Sequence, residues 1–428
     1  MNIISDTRIT VCDSIMGSFK TTWAIQMMNT HKDCNYLYIT PYLTEVDRIK
    51  ENTETNFFDP ENRGTGKLQS LNKLLSYGNN IVSTHSLFKR ITDETKDLIK
   101  KGKYILIMDE AMDVVDKYAD LKKGDIKFLL KENLISIDPD TGYISWNEKK
   151  EYHDYKYEEV MLLCKNKCLV RVNSTTTLWH FQPEVFNLFN EVYVLTYMFK
   201  GSIMKSYFDY HKITFNMKQV KNINGRLFLE NYCPEEENRE KYKELINICV
   251  DNKLNTIGEK TNALSKSWLK KAGQIGYKRV KDNIYNYFTN KIEPPAKADT
   301  IMWTCFKNDE SKLQGRGYTR AIPKSDMPLN PSREDKQKAK CFVPLNCRGT
   351  NIYANRYNLA YTINRYHLPY IKKYFSYKGI AFDEDAFSLS ELLQWIWRSR
   401  IRNNQPINIY IPSSRMRDLL MDWMEKNI

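Results

Sequence analysis

Short apolar runs alternate with longer amphipathic stretches over the first 115 residues. The runs are rich in β-branched and aromatic residues and stop at a polar residue, as buried strands do. They are RITVCDS (8–14), NYLYIT (35–40), NIVSTH (80–85) and KYILIMDEA (103–111), with helical patterns over 20–29, 43–51, 68–77 and 86–101. This alternation predicts a parallel sheet with helices on both faces. Ligands of such sheets bind beyond the carboxyl ends of the strands, where each polar residue falls.

The pattern changes between residues 117 and 170. A helix is predicted over KKGDIKFLLKE (122–132), and a hairpin is predicted over NLISIDPDTGYISWN (133–147), whose Asp-Thr-Gly sequence is typical of a turn. Apolar runs resume at TTTLWHF (175–181) and EVYVLTY (191–197). We therefore interpret 117–170 as an insertion in a first α/β domain.

A second α/β domain is predicted for the rest of the chain. We expect its strands at TIMWTCF (300–306), KCFVPLN (340–346) and INIYIPS (407–413). We assign 1–215 to the first domain and 216–428 to the second, with the acidic stretch CPEEENREKYKE (233–244) as the region of the junction. Two domains agree with a length of 428 residues, which exceeds one ordinary core.

Composition narrows the setting in which the protein works. The chain has no run of 18 apolar residues, and its first residues, MNIISDTRIT, lack the build of a signal peptide. We expect a cytoplasmic protein without a membrane segment, in the host-cell cytoplasm if it is phage-encoded. The nine cysteines are scattered, which argues against a disulfide framework. Their one close pair, CKNKC (164–168), is interpreted as a solvated loop because no further ligands follow at zinc spacing.

A formal net charge of +13 favours a polyanionic partner. Basic and aromatic residues alternate in SKSWLKKAGQIGYKRVKDNIYNYF (265–288) and NRYNLAYTINRYHLPYIKKYF (355–375). Basic side chains neutralise phosphates, and aromatic faces stack on unpaired bases. The alternative is a solvated helix face, and charge alone gives the two interpretations equal weight.

The stretch SIMGSFKTT (14–22) is close to a phosphate-binding loop. It joins a predicted strand to a predicted helix, where backbone N–H groups can cradle phosphates. Lys20 is predicted to reach the β- and γ-phosphates of ATP, and Thr21 to bind Mg²⁺. Ser14 and Phe19 replace the motif's glycines, so Phe19 must point away from the nucleotide and avoid a glycine-only backbone. The candidate ATP-binding residues are Ser14, Gly17, Ser18, Phe19, Lys20, Thr21 and Thr22.

Two carboxylates follow a strand in ILIMDEAMD (105–113), about 90 residues beyond the loop. Asp109 is predicted to hold Mg²⁺, and Glu110 to polarise the attacking water. An acidic cap after a buried strand is the ordinary alternative. The two motifs in this order, each at the carboxyl end of a strand, favour a nucleotide site.

MGSFKTT and IMDEA resemble motifs I and II of superfamily 2 helicases, and the whole order of segments is similar to DEAD-like helicases encoded by tailed bacteriophages of low-GC bacteria. YITPYLTEVDRI (38–49) resembles motif Ia, and VSTHSLF (82–88) resembles a further backbone-contacting segment. VLTYMFKGS (194–202) stands at motif III, where Thr196 would couple ATP to strand movement. With NALSKSWLKK (262–271), the resemblance implies nucleic-acid contacts at Thr40, Pro41, Thr84, His85, Thr196, Lys266 and Trp268.

In the second half, LLQWIWRSRIR (392–402) resembles motif VI. Gln394, Arg398 and Arg402 have the spacing of one helix face, from which guanidinium groups can reach a γ-phosphate. Which of Arg398, Arg400 and Arg402 does so stays open, and a solvated amphipathic helix is the alternative. NCRGTNIY (346–353) stands at motif V, with Thr350 and Asn351 as its coupling residues.

The resemblance implies two RecA-like P-loop α/β domains, with mainly parallel sheets, helices on both faces and an insertion in the first domain. It also implies a nucleic-acid-stimulated ATPase of the helicase class that uses ATP and Mg²⁺. The expected partners are single-stranded or forked DNA, with RNA still open, and other phage replication proteins. Two alternatives remain. One is a terminase-like packaging motor, and the other is a non-hydrolysing, ATP-gated protein that binds single-stranded nucleic acid.

Overall fold

A computed structural model describes residues 8–62, 64, 66–147, 155–345, 347 and 351–426. Its strands are β1 Arg8–Asp13, β2 Tyr36–Thr40, β3 Phe57–Phe58, β4 Asn80–Thr84, β5 Ile105–Asp109, β6 Val115–Lys117, β7 Ile135–Ile137, β8 Ile144–Trp146, β9 Leu169–Arg171, β10 Thr177–His180, β11 Glu191–Thr196, β12 Asn216–Ile223, β13 Arg226–Asn231, β14 Ile246–Ile248, β15 Ile301–Thr304, β16 Asn358–Tyr361 and β17 Ile407–Tyr410. Its α-helices are α1 Lys20–Thr30, α2 Leu43–Asn52, α3 Lys67–Ser76, α4 His85–Phe88, α5 Asp93–Gly102, α6 Lys123–Lys131, α7 Glu158–Lys165, α8 Ile203–His211, α9 Lys241–Leu245, α10 Asn252–Asn255, α11 Lys266–Asn290, α12 Glu310–Leu313, α13 Arg333–Lys338, α14 Pro369–Tyr377, α15 Glu384–Ile396 and α16 Ser414–Met424.

The chain divides into two compact units, and the division differs from a single cut at residue 215. The first unit contains Met1–Ser14, Phe19–Tyr232 and His367–Asp383, and the second contains Ile15–Ser18, Cys233–Tyr366 and Glu384–Ile428. The boundary expected at 216 falls at the start of β12, which pairs with β1 in the first sheet. The change of unit after Tyr232 coincides with the acidic stretch instead.

The first sheet has the order β13-β12-β1-β11-β5-β2-β4-β3. All its strand pairs are parallel except the terminal hairpin β12–β13. Alternate residues of one strand enter different cores. Leu106 and Met108 pack in a core that includes α3, α5 and α8, whereas Ile105 and Ile107 pack with α1 and α2. The predicted parallel sheet with helices on both faces is therefore confirmed.

The insertion has its own small core. Helix α6 and the antiparallel pair β7–β8 form where a helix and a hairpin were predicted, and both pack with α7. The CKNKC segment is not a solvated loop, because Cys164 and Cys168 are both buried. Burial raises the pKa of the Cys168 thiol to about 11, so the thiol stays protonated.

A contact between the buried His180 and the half-buried His211 joins β10 to α8 in the first unit. The Nε2 atoms of His180 and His211 lie 3.3 Å apart, and Nδ1 of His180 is 2.9 Å from the carbonyl oxygen of Phe181. The ring of Tyr374, on α14, lies 6.1 Å from that of His180. Because α14 packs in this core, the segment His367–Asp383 belongs to the first unit although it comes late in the chain.

The second unit is built on the parallel sheet β14-β17-β16-β15. Strands β15 and β17 match predicted strands, whereas β14 and β16 were not predicted. The predicted strand KCFVPLN forms isolated bridges at Lys340 and Phe342 only, and its residue 346 lies outside the described part. Pro344 lacks the N–H that a central strand needs.

The basic stretch 355–375, for which a nucleic-acid surface and a solvated helix face had equal weight, is largely buried. The stretch contains β16 and most of α14, and Tyr361, Tyr374 and Phe375 are buried. Arg356 is 6% exposed and donates to the carbonyl oxygens of Ala298, Ile301 and Lys338. Within the described ranges, no helix is long and apolar enough to cross a membrane.

Candidate nucleotide site

The candidate phosphate loop connects β1 to α1. Gly17 has φ +81° and Phe19 has φ +67° and ψ +23°, so both residues adopt left-handed backbone conformations. A non-glycine residue pays roughly 1–2 kcal/mol for this conformation. Phe19 can adopt it because the left-handed region, although unfavourable, is not restricted to glycine. Its side chain is 54% exposed, as expected for a residue that turns away from the loop.

The start of α1 offers backbone donors and one cation. No side chain within the described residues caps this helix, and its first turn contains no acidic residue. Lys20 Nζ donates to the carbonyl oxygen of Ser14 at 2.5 Å, so the ammonium group lies over the loop. Ser18 Oγ is buried and has no hydrogen-bond partner among the described residues. These groups fit an anion such as a nucleotide phosphate.

The loop is tied to the segment that follows β11. The Asp13 carboxylate accepts hydrogen bonds from the backbone N–H groups of Met198 and Phe199, both at 2.8 Å. Ser14 N–H donates to the carbonyl oxygen of Thr196 at 3.0 Å. These hydrogen bonds connect the loop to residues 196–199. Asp13 was not among the predicted site residues, although it is the polar residue that ends β1.

Asp109 and Glu110 lie at the carboxyl end of β5. Only β11 separates β5 from β1 in the sheet, so the two strand ends are about 10 Å apart. Glu110 also has a left-handed backbone, with φ +67°, and its N–H donates to the carbonyl oxygen of Leu195 at 2.9 Å. Strained non-glycine conformations of this kind recur at functional sites.

Burial and neighbouring carboxylates make Asp109 a favourable position for a cation. Desolvation is the main reason that the pKa of Asp109 rises to about 7, and the charges of Glu110 and Glu45 raise it further. The charges of Lys20 and Arg48 oppose the rise, so Lys20 lies within electrostatic reach of Asp109. A divalent cation would stabilise the ionised carboxylate. Glu45 and Arg48, an ion pair at 3.2 Å on α2, were not predicted to belong to this site.

The residues of the first unit that are predicted to contact nucleic acid lie at the carboxyl ends of its strands. Thr40 and Thr84 are partners in the register of β2 and β4, so they lie side by side where the strands end. Thr40 is buried and its hydroxyl has no partner within the described residues, whereas the Thr84 hydroxyl caps α4 by accepting from Leu87 N–H. Pro41 follows β2, and His85 begins α4.

The motif VI prediction needs correction. Helix α15 ends at Ile396, and a 3₁₀ turn covers Arg400–Asn403, so Gln394, Arg398 and Arg402 do not share one helix face. The chain turns because Ser399 is fully buried and its hydroxyl donates to the carbonyl oxygen of Ile396.

Because the chain turns, the predicted motif VI residues make contacts in different places. Gln394 is 8% exposed, and its Nε2 donates to Ser390 Oγ at 3.4 Å. Arg400 lies over the Tyr357 ring at 3.8 Å.

The remaining predicted residues lie in the second unit or outside the described residues. Arg402 donates to the side-chain carbonyl of Asn351, which brings two separately predicted residues into contact. Thr350 lies outside the described residues. Lys266 begins α11 and is exposed, and Trp268 N–H is capped by Ser265.

Family models match two parts of the chain. A model described as the YonV C-terminal Rossmann-like domain matches residues 240–424, and one described as the YonV middle domain matches residues 115–179. The second match covers the insertion and its flanking strands. The SPbeta prophage-derived uncharacterized protein YonV of Bacillus subtilis (strain 168) is 40% identical over 432 residues, which cover 98% of this chain and 99% of that protein.

Two solved structures of XPD, one described as a helicase and one as an apo form, have the same fold. Each aligns with a TM-score of 0.53, at 12% and 13% identity respectively. The alignments cover 98% and 99% of this chain, and 95% and 96% of the XPD chains. Identities this low establish the fold alone.

Proposed function

This chain is a member of the YonV family, and we propose that it is an ATP-dependent helicase or translocase that acts on DNA. The observation that carries the proposal is that Lys20 lies within electrostatic reach of Asp109, next to Glu110, at the carboxyl ends of parallel strands in a chain with a helicase fold. A cation over a helix start and a pair of carboxylates on a nearby strand are the groups that nucleotide hydrolysis requires.

Each group would have a distinct task. Lys20 would leave the Ser14 carbonyl oxygen and bind phosphate oxygens, while backbone N–H groups at the start of α1 donate to them. Thr21 and Asp109 would hold Mg²⁺, which supplies charge stabilisation at the phosphates. The Glu110 carboxylate would orient the attacking water and accept its proton. The hydrogen bonds of Asp13 and Ser14 to residues 196–199 would then couple the loop to the nucleic-acid edge.

The proposed nucleic-acid contacts lie at the carboxyl ends of the same sheet's strands. Thr40, Pro41, Thr84 and His85 would contact the sugar–phosphate backbone next to the nucleotide site. In the second unit Lys266 and Trp268 would add contacts, and Gln394, Arg398 and Arg402 stay candidates for phosphate recognition. The name of the 40% identical relative places it in a prophage, so we propose a role in phage DNA replication or recombination, beside other phage replication proteins.

The first test is steady-state ATP hydrolysis with Mg²⁺, with and without single-stranded DNA or RNA. We expect the rate to rise several-fold with one nucleic acid and to vanish in Lys20→Ala. Lys32→Ala is a matched control, because Lys32 follows the same helix and pairs with Glu54 on the surface. Strand displacement on a forked DNA would then separate unwinding from translocation alone.

A non-hydrolysing, ATP-gated binding protein is the second candidate, and the left-handed Phe19 favours it, because a side chain replaces the motif's glycine. Tight ATP and DNA binding without hydrolysis in any condition would select this candidate over the motor. A terminase-like motor is less well supported, since the family model for residues 240–424 describes a Rossmann-like domain.

A further inference from the structure

Helix α11 of the second unit bends sharply at Gly273, and a groove lies at the bend. Gly273 has φ +58° and ψ −153°, a conformation that is essentially restricted to glycine. The groove has a volume of about 590 Å³. Besides Gly273, its lining consists of Lys270, Gln274, Tyr277, Lys278, Lys281 and Lys312.

The charge of this groove is one-sided. Four lining residues are lysines and none is acidic. In the part of the chain that the structure describes, Lys270, Lys278 and Lys281 form no salt bridge, and Lys270 and Lys278 are exposed. Helix α11 as a whole carries six basic residues and one acidic residue, Asp282. Like charges this close repel one another, and a bound polyanion would relieve that repulsion.

One aromatic side chain in the groove is held in place. The Tyr277 hydroxyl donates to Asp309 Oδ1 at 2.7 Å, and Lys312 Nζ lies 4.5 Å from the ring centre. Lys312 also pairs with Asp309 at 3.3 Å. These contacts fix a partly exposed ring among the lysines. Lysines that follow a backbone, next to an ordered aromatic ring, are the combination by which proteins bind single strands.

We infer that this groove binds the phosphodiester backbone of single-stranded nucleic acid. The inference rests on the proposed function, because it assigns a further binding surface for the same nucleic acid. It is separate from the contacts expected at Lys266 and Trp268, which lie before the bend. A membrane surface fits the groove less well, since its lysine side chains surround a concave surface.

The test is a charge reversal with a matched control. The triple variant Lys270→Glu, Lys278→Glu and Lys281→Glu is compared with Lys123→Glu, Lys127→Glu and Lys131→Glu on α6, where three exposed lysines change the net charge equally. Affinity for a labelled 20-nucleotide oligothymidine or oligouridine is measured over a range of salt concentrations. ATP hydrolysis without nucleic acid and a thermal melt report on folding.

We expect the groove variant to bind at least tenfold more weakly than wild type and the control to bind as wild type does. The slope of log K against log salt should fall by about 2, since each single-strand phosphate contact contributes roughly 0.7. The variant with arginine at the same three positions should retain affinity.

Three results would overturn the inference. Equal affinity and equal slopes in all proteins would do so and leave the proposed function intact. Wild-type protein that binds neither oligonucleotide would remove the proposed function as well. Binding of wild type to phosphatidylserine vesicles in place of the oligonucleotides would assign the groove to a membrane.

Discussion

The polar residues at the carboxyl ends of the strands have different roles in the two units. In the first sheet, Glu110 and Lys20 retain some exposure, and burial raises the pKa of Asp109 to about 7. In the second sheet, the polar residues that follow β16 are engaged by their own unit. Thr362 donates to the carbonyl oxygen of Thr304, and Asn364 donates to those of Thr261 and Ala263.

A polar residue after a strand is therefore available to a ligand only when backbone groups nearby do not already hydrogen-bond its side chain. Asp251 illustrates the point. It follows β14, but its carboxylate caps α10 and pairs with Lys291 at 2.7 Å. A carboxylate whose two oxygens are engaged in this way is less available to a ligand. Both sheets share a parallel topology, so topology alone does not assign the site to one of them.

The largest expected effect is a difference in the rate of ATP hydrolysis between a variant at Glu110 and a variant at Asp251. We expect Glu110→Gln to lower the rate of ATP hydrolysis by about 100-fold or more, because the amide cannot accept the proton of the attacking water. ATP affinity should stay within a factor of two. The matched Asp251→Asn should leave hydrolysis unchanged, since asparagine also caps helices and an exposed ion pair contributes about 1 kcal/mol or less. Equal loss of hydrolysis in both variants would contradict the comparison.

The second-largest effect is expected for variants that remove buried hydrogen bonds, one in each unit. Asp13→Asn and Asn364→Leu should each lower the free energy of unfolding by about 2–3 kcal/mol, because each leaves buried backbone groups without partners. Only Asp13→Asn should also slow ATP hydrolysis, by tenfold or more, since Asp13 holds the loop against residues 196–199. Urea unfolding gives the first quantity, and hydrolysis at a temperature where both variants are folded gives the second. An unaltered rate of ATP hydrolysis in Asp13→Asn would show that the hydrogen bonds of Asp13 to residues 198 and 199 stabilise the fold without affecting hydrolysis.

Acid should destabilise the first unit selectively, because all described histidines belong to it. Burial lowers the pKa of His180 to about 3 and that of His211 to about 4. The unfolded chain therefore binds protons below pH 6.5 that the folded chain does not, so this contribution to stability is lost as the pH falls from 6.5 towards 4. Asp109, with its raised pKa, acts with the opposite sign in the same window.

The His211→Gln variant isolates the histidine contribution. Between pH 7.5 and 5.5, the wild-type protein should lose about 1 kcal/mol more unfolding free energy than the variant, measured by hydrogen exchange of first-unit peptides. Parallel pH profiles of the two proteins would show that His211 does not titrate upon unfolding.

The smallest effect is expected at Phe19. Phe19→Gly removes the cost of the left-handed backbone but makes the unfolded chain more flexible, so stability should change by less than about 1 kcal/mol. ATP affinity should stay equal or improve, because the motif has glycine at this position. Calorimetry of unfolding and of nucleotide binding gives both values. A large loss of ATP affinity would mean that the Phe19 ring contacts the nucleotide.

Much of the first unit could be predicted from residue patterns. Runs that end in Asp13, Thr40, Thr84 and Asp109 are true strands, because each is apolar on both faces and only a sheet covered on both sides accepts such a run. The loop before Lys20 followed from its place between a strand and a helix. Asp13 was missed as a site residue because its function depends on backbone N–H groups almost 200 positions away.

Errors cluster in the later part of the chain, where composition and burial disagree. The basic stretches 265–288 and 355–375 have similar compositions, yet the first presents exposed lysines, whereas the second contains the buried β16 and most of α14, which packs in the first unit. The spacing of Gln394, Arg398 and Arg402 suited a helix, but the helix ends at Ile396 because the buried Ser399 turns the chain.

Local apolar periodicity is enough to predict which segments become buried strands and helices, and which residue types stand at their ends. Which of those end residues remain available for chemistry is a property of the folded chain. That depends on partners distant in the chain, such as the N–H groups after Thr196 that engage Asp13 and the carbonyl oxygens that engage Asn364. A polar group is free for a ligand only after the folded backbone has taken the hydrogen bonds it needs.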